Sequence, residues 1–404
     1  MRGLAPRRRS GRPRRRGATM VLTAVMMTTI LGFVALAVDT MVLAVAKHQL
    51  STAADAGALA GAAALADERR FAPDAPLDDI MAAAHERAEL FAERNPVLGR
   101  PPVLYPNPSN SPDGDIVLGY IEHPTDPNSP FLTDPSLQPL FNSVRVRAVR
   151  SAERGGIIPA YFARAIGFEG TALGAVGTGS ALVYEVDGFG SDPDTNAGLL
   201  PIVLDKNTYE DMISPSVTTT DQYRYDPITR TVSAGADGVE ESQLYPVKNG
   251  YPGNWGTVKI GVSNNSTSTL GAQIRYGVTP QQLGTYPGGK LTLNQTDAQG
   301  NTYVMLGGNP GISSGIKDDL EAIIGQPRTI PIYDPAGSGG NGNNAQYKII
   351  AFQPVRVLAV SFKGNPKYVI VQPAMINDPT AIPGDPKPNG WTSGGGLIRL
   401  HLTR

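Results

Sequence analysis

Residues 18–69 read ATMVLTAVMMTTILGFVALAVDTMVLAVAKHQLSTAADAGALAGAAALADER, and the expected architecture follows from them. The run 18–38 is uncharged, and at about 1.5 Å of rise per residue it spans roughly the 30 Å hydrocarbon thickness of a bilayer. The residues that follow contain no proline, few glycines and many alanines, the best helix former. The stretch therefore predicts one continuous helix over 18–69, beginning as a transmembrane segment.

An arginine-rich segment precedes this helix. Residues 1–16 contain eight arginines and no acidic residue, whereas the rest of the 404-residue chain carries 27 basic and 36 acidic residues. Because positive charge stays on the cytoplasmic side, the pattern predicts a single-pass protein of the cell inner membrane. Its N-terminus is cytoplasmic and its bulk is periplasmic or extracellular. The expected topology determinants are Arg7, Arg8, Arg9, Arg12, Arg14, Arg15 and Arg16.

Two other interpretations of the N-terminus remain open. An arginine-rich arm that binds nucleic acid is disfavoured by the apolar sequence that follows it. A cleavable signal peptide would have a shorter apolar run, although Ala44-Val45-Ala46 has the small-x-small pattern of a cleavage site. The helical pattern continues past Asp39, which favours an anchor that is retained.

The second half of the predicted helix has a small-residue face. Asp39 ends the apolar run, and Asp55, Gly57 and Gly61 lie within an alanine-rich segment. Gly57 and Gly61 form a G-x-x-x-G step, which permits close approach of another backbone. We predict that these four residues are helix-packing positions, either against the protein's own domain or against a partner. Replacing both glycines by leucine is expected to be disruptive, and replacing both by alanine is expected to be mild.

The same segment resembles the N-terminal anchor of TadE/TadG-like proteins, and most closely the TadG-like proteins of the Flp/Tad pilus assembly system. The resemblance rests on Leu36-Ala37-Val38-Asp39, Gln49-Leu50 and the run from Ala53 to Ala62, AADAGALAGA. Looser similarity covers 140–190 and 250–376, including the strand and short helix around 143–164 and Pro252-Gly253-Asn254-Trp255-Gly256. The resemblance implies a surface or secretion apparatus component that interacts with other pilus-assembly or envelope proteins.

The chain departs from this family in two respects. It has no D-x-S-x-S motif, so the metal-dependent adhesion of members that carry a von Willebrand A domain is not expected. Related pilus subunits are cleaved after a glycine that precedes a glutamate at the fifth position. Here Leu22 stands at the fifth position after Gly17, which favours an uncut anchor.

Beyond the anchor, the residue pattern predicts an α+β protein with a mixed, mostly antiparallel β exterior region. The expected helices cover 77–94, 157–166 and 316–323, the last ending at Gly325. The expected strands cover 115–121, 144–150, 172–186, 199–204, 347–352, 355–362, 367–376 and 397–403, and we expect Gln353-Pro354 to form a turn.

Composition shifts predict five regions: a basic cytoplasmic tail (1–17), a transmembrane helix with its helical extension (18–69), a membrane-proximal α+β domain (70–187), a linker (188–198) and a β-rich domain (199–404).

The search for chemistry is largely negative. The chain has no cysteine, which excludes disulfides and thiolate sites, and its four histidines lack metal-ligand spacing. Asp192-Pro193-Asp194-Thr195-Asn196 begins like a calcium loop, but Ala197 replaces the required glycine. Glu122-His123 is adjacent in sequence, yet neighbours on a strand point to opposite faces. We therefore predict no catalytic, cofactor or metal residue and no enzymatic activity.

The resulting hypothesis is a membrane-anchored structural or accessory component that acts through protein–protein interaction. Its expected partners are membrane lipid and other pilus-assembly or envelope proteins, with no nucleic acid and no small-molecule substrate. A surface-exposed binding module for polysaccharide or protein is the alternative, which an exposed aromatic groove around Trp255 or Trp391 would favour. An exported enzyme is a further alternative, which a clustered carboxylate pair in a deep pocket would favour.

Overall fold

The computed structural model describes residues 16–214, 220–227, 229–244, 255–311, 314–363, 367–387 and 394–403. The predicted topology residues Arg7–Arg15 lie outside these ranges, as do Pro252–Asn254 and Trp391. Arg16 is the first residue of the first helix.

The helices are concentrated at the N-terminus and around the later strands. The α-helices are α1 (Arg16–Leu65), α2 (Leu77–Glu93), α3 (Lys206–Ile213), α4 (Thr267–Tyr276), α5 (Pro280–Leu283) and α6 (Lys317–Glu321). Short 3-10 helices cover Glu68–Phe71, Pro135–Leu140, Ala163–Ile166, Pro287–Gly289, Ser314–Ile316 and Gly342–Asn344.

Strands dominate the chain after residue 115. They are β1 (Ile116–Gly119), β2 (Ser143–Arg150), β3 (Ile158–Pro159), β4 (Gly170–Thr171), β5 (Leu173–Gly190), β6 (Ile202–Asp205), β7 (Tyr223–Asp226), β8 (Thr231–Ala234), β9 (Ser242–Leu244), β10 (Trp255–Val258), β11 (Lys290–Thr292), β12 (Gln295–Thr296), β13 (Thr302–Asn309), β14 (Pro327–Gly339), β15 (Ala345–Ser361), β16 (Tyr368–Pro373), β17 (Met375–Ile376), β18 (Ala381–Pro386) and β19 (Gly396–Thr403).

Apart from the hairpins β3–β4 and β7–β8, the strands of the described residues form one sheet of 15 strands. Most neighbours are antiparallel, and the pairs β6–β14 and β17–β19 are parallel. β15 pairs with both β14 and β13, and the path β14-β6-β10-β13 joins those two strands. The hydrogen-bonded pairings therefore close a ring of five strands. The α+β class, with a long apolar helix and a mostly antiparallel β region, is confirmed.

The buried side chains form three clusters. The first lies among α1, α2, β1, β2 and β5. Val203 and Tyr333 belong to the second cluster, whereas Ile202, Leu204 and Ile332 belong to the third, together with side chains from α4 and α6. Because successive side chains of a strand point to opposite faces, the two faces of the five-strand ring contribute to different cores.

Helix α1 ends at Leu65, four residues earlier than the sequence predicts. Arg70 is the physical reason, because its buried guanidinium folds back and donates to the carbonyl of Leu65 at 3.0 Å. The same guanidinium donates to the carbonyls of Phe141 and Pro139 at 2.8 and 2.6 Å. Desolvation lowers the pKa of Arg70 to about 10, so the side chain remains charged at neutral pH and supports the helix C-terminus.

Two local predictions are wrong. The expected turn at Gln353-Pro354 lies inside the continuous strand β15, where Pro354 pairs with Thr329 of β14. On the other side of β15, pairing with β5 is at Phe352 and pairing with β16 begins at Val355. Pro354 therefore occupies a gap between neighbours, where its missing N–H costs little. The expected helix over 157–166 is instead strand β3 followed by the 3-10 helix Ala163–Ile166.

The proposed division into domains remains a prediction. β5 belongs to the predicted membrane-proximal domain for most of its length and extends to Gly190, inside the predicted linker. In its first part β5 pairs with β2 on one edge and with β19 on the other, and near Gly190 it pairs with β11 and β18 on its two edges. Hydrogen bonding is therefore continuous across the proposed boundary.

Candidate interaction surface along the N-terminal helix

Helix α1 passes through two environments. From Thr19 to Val38 the described side chains are exposed except for half-buried Ala35. From Ala46 onward the helix is packed against the rest of the chain, and its buried positions form two adjoining rows with intervals of three or four residues. One row is Ala46, Leu50, Ala54, Ala58, Ala62 and Leu65, and the other is Ala53, Gly57 and Gly61. This spacing is that of one helix face. The first half is long and apolar enough to cross a membrane.

The predicted glycine pair faces α2 and β2. A β-carbon at Gly57 would lie 2.7 Å from the carbonyl oxygen of Ala88, and one at Gly61 would lie 3.0 Å from Cγ1 of Val144. Real β-carbons essentially never make contacts below 3.0 Å. The opposing surface of α2 is equally small, because its buried residues Ala84, Ala88 and Ala92 follow at intervals of four. The glycines therefore occupy a close helix–helix contact within the chain.

The sheet approaches α1 through glycines of its own. A β-carbon at Gly177 of β5 would lie 2.5 Å from Oδ1 of Asp55, and one at Gly179 would lie 2.6 Å from the carbonyl carbon of Ala58. Asp55 is half-buried beside Gly177, on the flank of α1 that faces the sheet. The helix is thus held between α2 and the sheet, and each side omits side chains to permit that approach.

Asp39 makes the most distant connection of the four predicted packing residues. Its carboxylate accepts hydrogen bonds from the backbone N–H groups of Tyr161 at 2.8 Å, Phe162 at 3.2 Å and Ala163 at 2.7 Å. These donors begin the 3-10 helix that follows β3. Desolvation raises the pKa of Asp39, but the three N–H groups together outweigh it and hold the pKa below its usual value. The carboxylate is therefore ionised at neutral pH.

Two side chains of α1 that follow Asp39 also form hydrogen bonds to later parts of the chain. The Nζ of Lys47 donates to the carbonyl of Gly174, and Oε1 of Gln49 accepts from the N–H of Leu98 at 2.8 Å. Together with Asp39 they attach three successive levels of the helix to segments that lie 49 to 127 residues later in the chain. The rest of the chain is consequently fixed to α1 by polar contacts as well as by packing.

Pockets lie away from this helix face. A cleft of about 420 Å³ is lined by α2 and by the loop 106–110, with His85, Asp78 and Glu89 among its residues. Desolvation lowers the pKa of His85, so its imidazole is neutral at pH 7. A smaller cavity of about 80 Å³ is lined in part by Glu122 and His123, both of which are exposed. Within the described ranges, no group of three or more His, Asp or Glu side chains could hold a metal ion.

The tryptophan that could have lined an exposed groove is buried. Trp255 is 1% exposed and packs with side chains of α4 and α6 in the third core cluster. Trp255 is therefore a core residue and does not form the exposed groove that would favour the alternative binding-module hypothesis. Asp192 and Thr195 of the calcium-like segment bridge one another through the backbone, as in a turn.

Sequence reasoning missed the segment 160–168 as part of the site. The structure brings it to Asp39 and leaves Tyr161, Phe162, Ile166 and Phe168 exposed. The available signal was the density of large apolar residues in a short segment that contains Gly167 and is followed by Gly170. The sequence pattern was interpreted as a helix over 157–166, so the hairpin that exposes these residues was not anticipated.

These features define the class of protein: an α+β chain built on one long N-terminal helix that is apolar and exposed in its first half and packed into its own domain in its second. Residues 17–64 match the family model described as putative Flp pilus-assembly TadE/G-like. Residues 47–178 match the model described as putative Tad-like Flp pilus-assembly. Neither the curated proteins nor the solved structures gave a match.

The two matched ranges together cover residues 17–178, and the chain is similar there to TadE/G-like and Tad-like Flp pilus-assembly families. This similarity supports a TadG-like component of pilus assembly. The two ranges overlap at 47–64, the half of α1 that packs against α2 and the sheet. The resemblance inferred from the N-terminal sequence is thereby confirmed. The looser resemblance at 250–376 lies beyond both matched ranges and stays a prediction.

Proposed function

We propose that this protein is a membrane-anchored structural or accessory component of a Tad/Flp-type pilus or secretion apparatus and acts through protein–protein interaction. The observation that carries the proposal is the difference between the two halves of α1. Its first 20 or so residues are exposed and apolar, whereas its second half is packed into a folded domain. An apolar helix of this length is stable in lipid and costly in water.

The proposed location is the inner membrane, with the N-terminus in the cytoplasm and the bulk outside. The support is the asymmetry between eight arginines before the apolar run and the acidic remainder of the chain. The proposed partners are membrane lipid and other pilus-assembly or envelope proteins. We infer no enzymatic role, no nucleic acid and no small-molecule substrate, in keeping with the pilus-assembly families that the chain matches.

The packing of α1 narrows where partners could bind. Gly57 and Gly61 face α2 and β2 of the same chain, so this face supports the intramolecular interpretation of the small-residue pattern. Candidate partner contacts therefore lie on exposed residues elsewhere. Phe91 of α2 and Tyr276 at the end of α4 are exposed aromatic side chains, and aromatic residues are enriched in protein interfaces.

Photocrosslinking in intact cells tests the proposal. A photoreactive phenylalanine analogue replaces Phe91 or Tyr276 in the full chain, and the same analogue at exposed Ala298 provides the control. We expect Phe91 or Tyr276 to capture another pilus-assembly or envelope protein, and Ala298 to capture none. Correctly localised protein that captures no other protein from either aromatic position would contradict a role in protein–protein interaction.

A further inference from the structure

The hairpin β3–β4 carries a cluster of exposed apolar side chains at its tip, residues 160–169. Tyr161 is 62% exposed, Phe162 52%, Ile166 86% and Phe168 46%. Single exposed apolar residues are ordinary on protein surfaces, but a contiguous group of large ones marks a contact site. Four such residues within eight positions of one short hairpin are a group of this kind.

Asp39 determines where this tip lies along α1. Its carboxylate binds the N–H groups of Tyr161, Phe162 and Ala163 at the base of the tip. Asp39 follows Val38, the last residue of the uncharged run. Because a helix rises by about 1.5 Å per residue, the apolar run is roughly 30 Å long and Asp39 lies at its end. The N–H groups bound to the Asp39 carboxylate therefore hold the tip level with the end of the span.

The composition of the tip suits a lipid–water boundary. Aromatic side chains are enriched at membrane interfaces, where the ring is buried among lipid and a polar group such as the tyrosine hydroxyl remains wet. Arg164 and Glu169 are exposed on the same tip, with 3.4 Å between Nε and Oε2. An arginine beside apolar residues can extend its charged end to the headgroup region.

We propose that the hairpin tip 160–169 inserts into the interface of the membrane that α1 crosses, on the outer side, as a second membrane contact. The proposal rests on the proposed function, because it requires α1 to span the bilayer. Its basis is the continuity of the tip with the span: the same carboxylate that ends the apolar run holds the aromatic cluster at that level. Two contacts instead of one would restrict how the outer domain tilts and rotates above the membrane.

Depth-dependent fluorescence quenching in the full chain tests this assignment. The chain has no cysteine, so single substitutions give unique labelling sites. Ile166→Cys, Met27→Cys and Ala298→Cys would each carry an environment-sensitive nitrobenzoxadiazole label. The labelled proteins would be reconstituted in phosphatidylcholine–phosphatidylglycerol vesicles that contain lipids with a nitroxide near the headgroup or deep in the acyl chain. Ile166 and Ala298 are exposed and Met27 lies in the exposed apolar half of α1, so none of the substitutions opens the core.

We expect the label at Ile166 to show a blue-shifted emission and to be quenched more by the shallow nitroxide than by the deep one. The label at Met27 should be quenched most by the deep nitroxide, and the label at Ala298 by neither. Quenching at Met27 without quenching at Ile166 would overturn the second contact and leave the anchor intact. A blue-shifted label at Ile166 that neither lipid quenches would also overturn it, because a protein surface would then cover the tip. Failure at Met27 would remove the anchor and the second contact together.

Discussion

At the scale of single residues, Gly57 and Gly61 show how an absent side chain acts as a packing element. Each glycine weakens a helix by about 1 kcal/mol relative to alanine, so two of them within one turn require compensation. The compensation is the close approach of Ala84, Ala88 and Val144. The two positions are not equivalent, because a β-carbon at Gly57 would lie 2.7 Å from a backbone carbonyl oxygen that cannot rotate away. The nearest atoms at Gly61 are farther, a methyl carbon of Val144 at 3.0 Å and the carbonyl oxygen of Ala84 at 3.1 Å.

This difference predicts graded effects of substitution. Gly57→Leu should destabilise the outer domain by about 1–3 kcal/mol or more, because overpacking forces the helices apart. Gly57→Ala should also be destabilising, contrary to the mild effect expected from sequence, since a methyl group would lie 2.7 Å from the Ala88 oxygen. Gly61→Ala should be closer to neutral. Thermal unfolding of the full chain in detergent micelles, followed by circular dichroism, measures these changes.

The control for Gly57→Leu is Ala63→Leu, at an exposed position on the same helix. It should change stability by no more than about 0.5 kcal/mol. Equal melting temperatures for the Gly57→Leu variant and the parent would show that the close contact with α2 does not contribute to stability.

At the scale of elements, α1 is one continuous helix whose first half is apolar and exposed and whose second half is packed against the rest of the chain. No proline interrupts the helix between its exposed half and its packed half. Its side chains are apolar on all sides in the first half, and from Ala46 onward one face is buried. This transition bears on processing. Ala44-Val45-Ala46 has the pattern of a cleavage site but lies in the middle of a regular helix, and Ala46 is the first buried apolar residue of that helix.

We therefore predict that the mature protein retains α1. Cleavage after Ala46 would remove Asp39 and leave three backbone N–H groups at Tyr161–Ala163 without their acceptor, which is costly in a folded protein. Cleavage after Gly17 is disfavoured by Leu22, which occupies the position of the expected glutamate. Intact-mass measurement of membrane-extracted protein decides the matter, and a terminus at Ala18 or near Lys47 would contradict retention.

At the scale of the whole molecule, one ion pair joins the helical region to the large sheet. Glu68, just after α1, accepts a hydrogen bond from Arg356 of β15 at 2.5 Å and another from the N–H of Met375 at 2.7 Å. Arg356 also donates to the carbonyl of Gly325 and lies 3.5 Å from the ring centroid of Tyr225. The pair therefore connects parts of the chain that were expected to form separate domains.

A double-mutant cycle should reveal this connection. Glu68→Ala and Arg356→Ala each leave the other charged group largely buried and without its partner, so each single change should be strongly destabilising. The double variant should lose less than the sum of the two, by about 1–3 kcal/mol. Thermal unfolding in micelles gives the four values, and simple additivity would show that the two regions are not coupled through this pair.

The orientation of the whole molecule is the last prediction. We expect a reporter active only outside the cytoplasm to function when fused to the C-terminus, and a reporter active only in the cytoplasm to fail there. Replacing most of Arg7–Arg16 by glutamine should weaken this orientation, because the tail then becomes easier to translocate. The same number of lysine-to-glutamine changes after residue 200 serves as the control. A cytoplasmic signal from the C-terminal fusion would reverse the proposed topology.

The local features of this chain could be predicted from its sequence. The apolar run, the alanine-rich continuation, helix α2 and the C-terminal strand β19 each have a periodicity or composition that needs no distant partner to be recognised. The family resemblance rests on such a local pattern and was confirmed over the matched residues. The burial of individual side chains depends on packing even in such a helix, since α2 buries Ala92 and leaves Phe91 exposed.

Other features depended on tertiary structure because they require contacts between residues far apart in the chain. Asp39 accepts hydrogen bonds from N–H groups more than 120 residues later in the chain, and Gly57 packs against a backbone carbonyl of α2. The continuity of β15 through Pro354 depends on where its neighbouring strands begin and end, and the five-strand ring closes only because β13 returns to β15. A sequence pattern states which side chains are apolar or small, but the identity of the atoms opposite them is decided by long-range packing.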